Sequence, residues 1–337
     1  MKVLVTGASG YIGSHAVLEL LNAGHEVVGF DNLSNSSPES IERVCELTGK
    51  PLRFEKLDLL DKPGLERLLS EKFDAVMHFA GLKAVGESVE KPELYRKNNV
   101  EGSANLFAAM KASGCRRLIF SSSCTVYGEV KENPVDERHS RTAVNPYGGT
   151  KLAVEDLCFD MARAEKGWHI ALLRYFNPVG AHESGRIGED PRGIPNNLMP
   201  FVMQTAVGRR EKVNVWGNDY PTPDGTGVRD YIHVVDLVLG HLAALNHIDE
   251  FDGAEAVNLG AGRGYSVLEM IAAASKAVGR SIPYEIKPRR PGDSAAIWNN
   301  PALAKKKLGW SAVRDLDRMC ADHWRWQKNN PNGFAPA

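Results

Sequence analysis

The chain has 337 residues, enough for a large core and two lobes, and a formal net charge of −1 from 41 basic and 42 acidic side chains. With no basic excess or stripe, a nucleic-acid surface is excluded, and no apolar run reaches the ~18 residues that cross a bilayer, so no membrane partner is expected. The N-terminus reads as a strand rather than a signal peptide, and Cys45, Cys115, Cys124, Cys158 and Cys320 are scattered without a Cys-x-x-Cys pair, which predicts a reduced, cytoplasmic protein.

A short apolar strand, Lys2 to Thr6, runs into Gly7, Gly10 and Gly13 and then a periodic helix from Ile12 to Leu21. This is the context a dinucleotide-binding turn requires. Gly7 permits the tight turn, Gly10 lets backbone approach a pyrophosphate, and Gly13 lets the helix lie close to the strand. The next strand, Glu26 to Phe30, ends in Asp31, whose carboxylate can accept both adenosine ribose hydroxyls and repels a 2′-phosphate. NAD rather than NADP is therefore the expected cofactor.

Strands and helices then alternate: strand 52–57, helix 63–71, strand 75–79, helix 92–112, strand 117–122, helix 147–165 and strand 169–175. Such alternation with short connections predicts an α/β fold, a Rossmann-type doubly wound parallel sheet with helices on both faces. Ligands bind such sheets at the carboxyl ends of the strands, where Asp58, the segment Ala80 to Lys83, and Ser121, Ser122 and Ser123 fall. From Asn177 to Pro200 and from Gly217 to Gly227 the chain turns rich in Gly, Pro, Asn and Asp, which predicts long functional loops. The expected division is a cofactor domain over 1–176 and a smaller substrate lobe over 177–337, with some crossing back to the sheet near 234–244. Lys305, Lys306 and Lys307 read as a solvated helix face. The ten histidines show no metal-ligand spacing, so no metal is expected, and His78 reads as a packed core residue.

Tyr147 and Lys151 lie four apart at the start of a predicted helix, hence on one face, so the ammonium can sit beside the phenol. Tyr ionises near pH 10 in water, and cationic help is what turns it into a general base.

The segments Thr6 to His15, His78 to Ser88, Phe120 to Gly128, Leu173 to Ala181 and Gly225 to His233 carry a resemblance to the extended short-chain dehydrogenase/reductase family, on its sugar-nucleotide epimerase branch. The resemblance runs from Lys2 to about Trp326. It implies interconversion of UDP-galactose and UDP-glucose through a 4-keto sugar, with transient hydride transfer to bound NAD, within galactose metabolism. Ser123, Tyr147 and Lys151 match the family's catalytic positions. Tyr11, Ile12, Asp31, Asn32, Asp58, Leu59, Phe79, Ala80, Gly81, Leu82, Lys83, Asn98 and Phe176 match its NAD positions. Lys83, Ser123, Tyr147, Tyr175, Asn177, Asn197, Leu198, Val215, Trp216, Arg229, Arg290, Asp293 and Ile297 match its sugar-nucleotide positions. The residue types suit those roles: Arg forks bind pyrophosphate, Trp216 can stack on uracil, and Asp293 can accept from ribose hydroxyls. A homodimer through the helices near 92–112 and 147–165 is also implied. Ile297 departs from the family pattern, where a bulky Tyr goes with unacetylated UDP-hexoses and a small residue with N-acetyl sugars.

Two rival readings are weaker. A dehydratase or decarboxylase needs an acid beside the serine, where Cys124, Thr125 and Val126 stand instead. A regulator that only senses NAD has no reason to keep both Tyr147 and Lys151.

Overall fold

The computed structural model describes residues 1–290 and 293–335. The first half supplies strands β1 (Lys2–Thr6), β2 (Glu26–Asp31), β3 (Arg53–Lys56), β4 (Ala75–His78), β5 (Arg117–Ser123) and β6 (His169–Tyr175). The second half supplies β7 (Asn177–Val179), β8 (Val213–Trp216), β9 (Val228–His233), β10 (Gly253–Leu259), β11 (Gly264–Ser266), β12 (Tyr284–Lys287) and β13 (Ala296–Ile297). Seven strands form one parallel sheet in the order β10-β6-β5-β4-β1-β2-β3. The winding reverses between β1 and β4, which opens a crevice at their carboxyl ends.

Alternation along β1 decides which side chains meet which helices. Val3 and Val5 face a core with Val17, Leu18, Leu21, Leu237 and Leu245, from the helices Tyr11–Asn22 and Val234–Asn246. Leu4 faces the opposite core, with Leu65, Leu68, Leu106, Phe107 and Val154 from the helices Lys62–Leu69, Gly102–Ser113 and Pro146–Ala164. The chain therefore crosses back into the sheet layer more fully than a helix near 234–244 implies: β10 also pairs with β6 and closes that edge.

The helix expected over 92–112 is not continuous. A four-residue helix, Pro92–Tyr95, passes into a π-helical stretch, Arg96–Glu101, before Gly102–Ser113. The wider turn carries Asn99, whose buried amide spans Leu82 N, Leu82 O and the Thr150 hydroxyl, so the irregular turn serves the segment after β4. The loop expected over 177–200 contains β7 and yields to the helix Leu198–Ala206.

Beyond the main sheet, β9 pairs with β7, β11 and β13, and β8 pairs with β12. A third core fills this part, from Met199, Val202, Val213, Tyr231, Met270, Ile271 and Met319. Among the described residues no helix is long and apolar enough to cross a membrane.

Candidate active site

The turn after β1 is built for close approach. Gly7 has φ +65°, and a Cβ there would stand 2.7 Å from Ala80 N; one on Gly13 would stand 2.1 Å from Gly7 O. The cleft above this turn has a volume of about 440 Å³. It is lined by every residue expected to hold the cofactor except Phe176, which is buried instead in a cluster with Val126, Tyr127, Val135 and Ile297.

The walls are pre-arranged. Thr6 Oγ1 bonds His78 Nδ1 at 2.7 Å and accepts from Ala80 N at 3.1 Å, fixing the end of β4 against β1. His78 is fully buried, and burial pushes it down to about 3, so it is a neutral packing residue. Asp31 Oδ1 accepts from Leu33 N at 2.9 Å and Ser36 Oγ at 3.1 Å. Asn32 Nδ2 donates to Asp58 Oδ2 at 2.8 Å, and Asn98 turns its amide onto Leu94 O.

At the end of β5 the helix Pro146–Ala164 begins behind the cap Asn145, whose side chain accepts from Gly148 N at 2.8 Å, with Pro146 in the first turn. Tyr147 N donates to Ser88 Oγ at 3.1 Å, which fixes the start of the helix. Ser123 Oγ accepts from Thr125 N and from Thr125 Oγ1 at 2.9 Å. Burial pushes the Tyr147 phenol up to about 12, and the Ser123 hydroxyl only partly opposes that rise.

Lys151 differs from expectation. Its ammonium donates to Ser121 O at 2.6 Å and lies 4.9 Å from the Phe120 ring centroid, rather than bonding the phenol. A buried ammonium must find acceptors, and packing of the helix on β5 presents a strand carbonyl. Burial lowers Lys151 to about 8, against the raising influence of Glu155 one turn further on. With the Lys151 ammonium bonded to Ser121 O, burial holds the phenol at about 12, and positive charge acting at the phenol is needed to make Tyr147 a base.

The residues expected to hold the sugar nucleotide fall in three groups. Lys83 and Asn197 line the cofactor cleft, next to Leu198 at the start of its helix. Arg229 on β9 is in register with Ile297 on β13, and Ile297 is buried in the cluster with Phe176. Val215 is buried on β8 while Trp216 at its end is exposed; the Arg290 guanidinium lies 5.8 Å from the Trp216 ring centroid and donates to Asp293 at 2.9 Å. Pro291 and Gly292, between that pair, lie outside the described residues. Tyr175 is paired through its hydroxyl with His241, and Asn177 opens β7 opposite Tyr231.

Glu189 and Arg192 are among the cleft-lining residues that were missed. Glu189 joins Lys83 and Asn197, and Arg192 donates to the carbonyls of Ser34 (3.3 Å) and Ser36 (2.7 Å). Both sit in an irregular loop, where no periodicity distinguishes them from solvated charges. Among the described residues no group of His, Cys, Asp and Glu is placed to hold a metal ion.

A doubly wound sheet, a glycine-cradled cleft at its switch point and a Tyr/Lys helix at the next strand end define a nucleotide-binding enzyme of Rossmann type. The chain belongs to the NAD dependent epimerase/dehydratase family, whose model matches residues 3–260. It is 57% identical to the UDP-glucose 4-epimerase of Mus musculus over 341 residues, covering 99% of this chain and 98% of that protein. It is 56% identical to the UDP-glucose 4-epimerase of Bacillus subtilis, with both chains fully covered. The crystal structure of UDP-glucose 4-epimerase from Bifidobacterium longum, in complex with NAD+ and UDP, superposes with a TM-score of 0.96 at 53% identity, over 99% of this chain and 100% of that one.

Proposed function

We propose that the chain is an NAD-dependent epimerase that interconverts UDP-galactose and UDP-glucose. The observation that supports this reading is the glycine-cradled cleft at the carboxyl ends of β1 and β4, which reaches Ser121 near the end of β5, the residue whose carbonyl Lys151 bonds. The cradle fits a dinucleotide, since Cβ atoms on Gly7 and Gly13 would close it. Gly7, Gly10 and Gly13 receive the pyrophosphate, Asp31 the adenosine ribose, and the walls from Asp58, Leu59 and Phe79 to Lys83 enclose the rest. NAD held there would supply the acceptor and later donor of the sugar C4 hydride, together with a positive ring beside Tyr147.

Tyr147 accepts the proton of the sugar 4-hydroxyl while Ser123 hydrogen-bonds the same oxygen. The phenol starts near 12, so its ionisation is drawn down by positive charge, to which Lys151 contributes from the next turn of the helix. The C4 ketone so formed turns over and is reduced on its other face, with Tyr147 returning the proton. No net oxidation results.

The lobe over 177–337 holds the nucleotide: Trp216 beneath uracil, Arg229 and Arg290 on the phosphates, Asp293 on the ribose, with Asn177, Asn197, Leu198 and Val215 around them. Anchoring the nucleotide leaves the hexose free to rotate beside Tyr175, Phe176 and Ile297. Ile297 is intermediate in size and stiff, which favours unacetylated hexoses. A homodimer, as the family resemblance implies, and a cytoplasmic location, as the scattered cysteines imply, complete the reading. The experiment is direct: incubate the purified protein with UDP-galactose and measure UDP-glucose formation, with Tyr147→Phe as the inactive control.

A further inference from the structure

Glu189 is a carboxylate that the mechanism above does not use. Its side chain is 4% exposed and lies on the loop between β7 and the helix Leu198–Ala206. Its Oε1 accepts from Lys83 Nζ at 2.8 Å and from Asn197 Nδ2 at 3.0 Å. Its Oε2 is buried with no partner among the described residues. The two donors come from opposite walls of the cleft: Lys83 follows β4 of the main sheet, and Asn197 caps a helix of the other lobe.

The backbone beneath this carboxylate is held. Trp326 Nε1 donates to Glu189 O at 3.2 Å, and the preceding Gly188 lies so close that a Cβ there would stand 2.3 Å from Trp326 Cγ. The backbone that carries the carboxylate is therefore held against the helix Leu316–Asn329. Burying a carboxylate with one oxygen unpaired is costly, and its Lys83 partner is 46% exposed, so this pair is a poor choice for stability alone. What it does accomplish is geometric, because one oxygen sets the position of one ammonium and one amide together.

We propose that Glu189 is a positioning residue, fixing Lys83 and Asn197 in the single arrangement that the sugar nucleotide meets. The proposal rests on the reading that Lys83 and Asn197 face the ligands. Its effect is on binding: with Glu189 in place the two donors need no ordering when substrate arrives, and without it they do. Loss of the charge therefore raises KM and leaves kcat nearly unchanged.

The test uses the NAD-loaded protein and four chains: wild type, Glu189→Gln, Lys83→Met and the double variant. Glutamine has the same shape and keeps one acceptor, so folding is retained, which a melting curve checks. Losing a charge-assisted hydrogen bond is worth about 1.4 kcal/mol or more, so Glu189→Gln is expected to raise the KM for UDP-galactose about tenfold, with kcat within about threefold. Calorimetric titration with UDP is expected to show a matching loss of affinity. Because Glu189 acts through Lys83 and Asn197 together, removing Lys83 already forfeits part of its effect, so the double variant should lose less than the product of the two single losses. An unchanged KM in Glu189→Gln overturns the proposal, as do multiplicative effects in the double variant. If the wild-type protein neither binds UDP nor converts UDP-galactose, the reading of the function fails; if it does both and Glu189→Gln matches it, only the role of Glu189 fails.

Discussion

Tyr147 and Lys151 occupy one helix face, yet the chemistry of the pair depends on what each meets across the packing interface. The phenol is pushed up to about 12 by burial and the amine is lowered to about 8, so burial drives both toward their neutral forms. Tyr147→Phe removes only the hydroxyl and is expected to lower kcat by roughly 10²–10⁴-fold while UDP still binds. Lys151→Ala should lower activity at pH 7, where an amine held at about 8 is still largely protonated, and shift the optimum upward because the phenol then ionises at higher pH. A pH–rate profile of both variants checks this, and an unshifted optimum in Lys151→Ala speaks against its charge acting on Tyr147. Ile297, as proposed above, bears on a different choice. The difference between hexoses at such a wall is about 1–3 kcal/mol, so kcat/KM for UDP-galactose should exceed that for UDP-N-acetylglucosamine by tenfold or more, and equal values contradict the assignment.

Among the elements, the strand–turn–helix over β1 and Tyr11–Asn22 was legible because its signal is local: an apolar strand, three spaced glycines and helical periodicity. Gly13→Ala places a Cβ 2.1 Å from Gly7 O, so backbone must shift. The variant should lose NAD on gel filtration, read by absorbance, and fall in stability by about 1–3 kcal/mol. Wild-type retention of NAD by Gly13→Ala contradicts the cradle. Other features depended on tertiary partners and were not legible. The acceptor that Lys151 finds, Ser121 O, is delivered by packing of the helix on β5. The π-helical stretch at Arg96–Glu101 has no distinctive composition, and β10 joins the sheet long after the alternating pattern has lapsed. Glu189 reads in sequence as one acid in a loop rich in glycine and proline, and only the fold brings it between Lys83 and Asn197.

The whole molecule carries several neutral histidines in its interior. Burial lowers His15 and His78 to about 3 and His241 and His323 to about 4, all below the ordinary value of about 6.5. The unfolded chain takes up these protons first as pH falls. Their contribution to stability is therefore complete above pH ~6.5 and lost as pH drops toward 3–4, by up to ~1.4 kcal/mol per pH unit for each histidine. Asp230, raised to about 7 by burial, acts in the opposite sense between its ordinary value and 7, as do the buried carboxyls of Glu19, Glu137 and Asp190, while the lowered His25 and His182 act with the four rings. The melting temperature should fall between pH 7 and pH 5, and a flat profile contradicts the buried neutral state of these rings. The proposed reaction is an oxidation and its reversal on one cofactor with nothing consumed. The most direct measurement is conversion of UDP-galactose by purified, gel-filtered protein with no nucleotide cofactor added. Many turnovers are expected, to an equilibrium mixture with UDP-glucose and with no net accumulation of reduced cofactor. Absence of conversion by the folded, NAD-bearing protein, or product formed only in proportion to added cofactor, would contradict the proposed reaction.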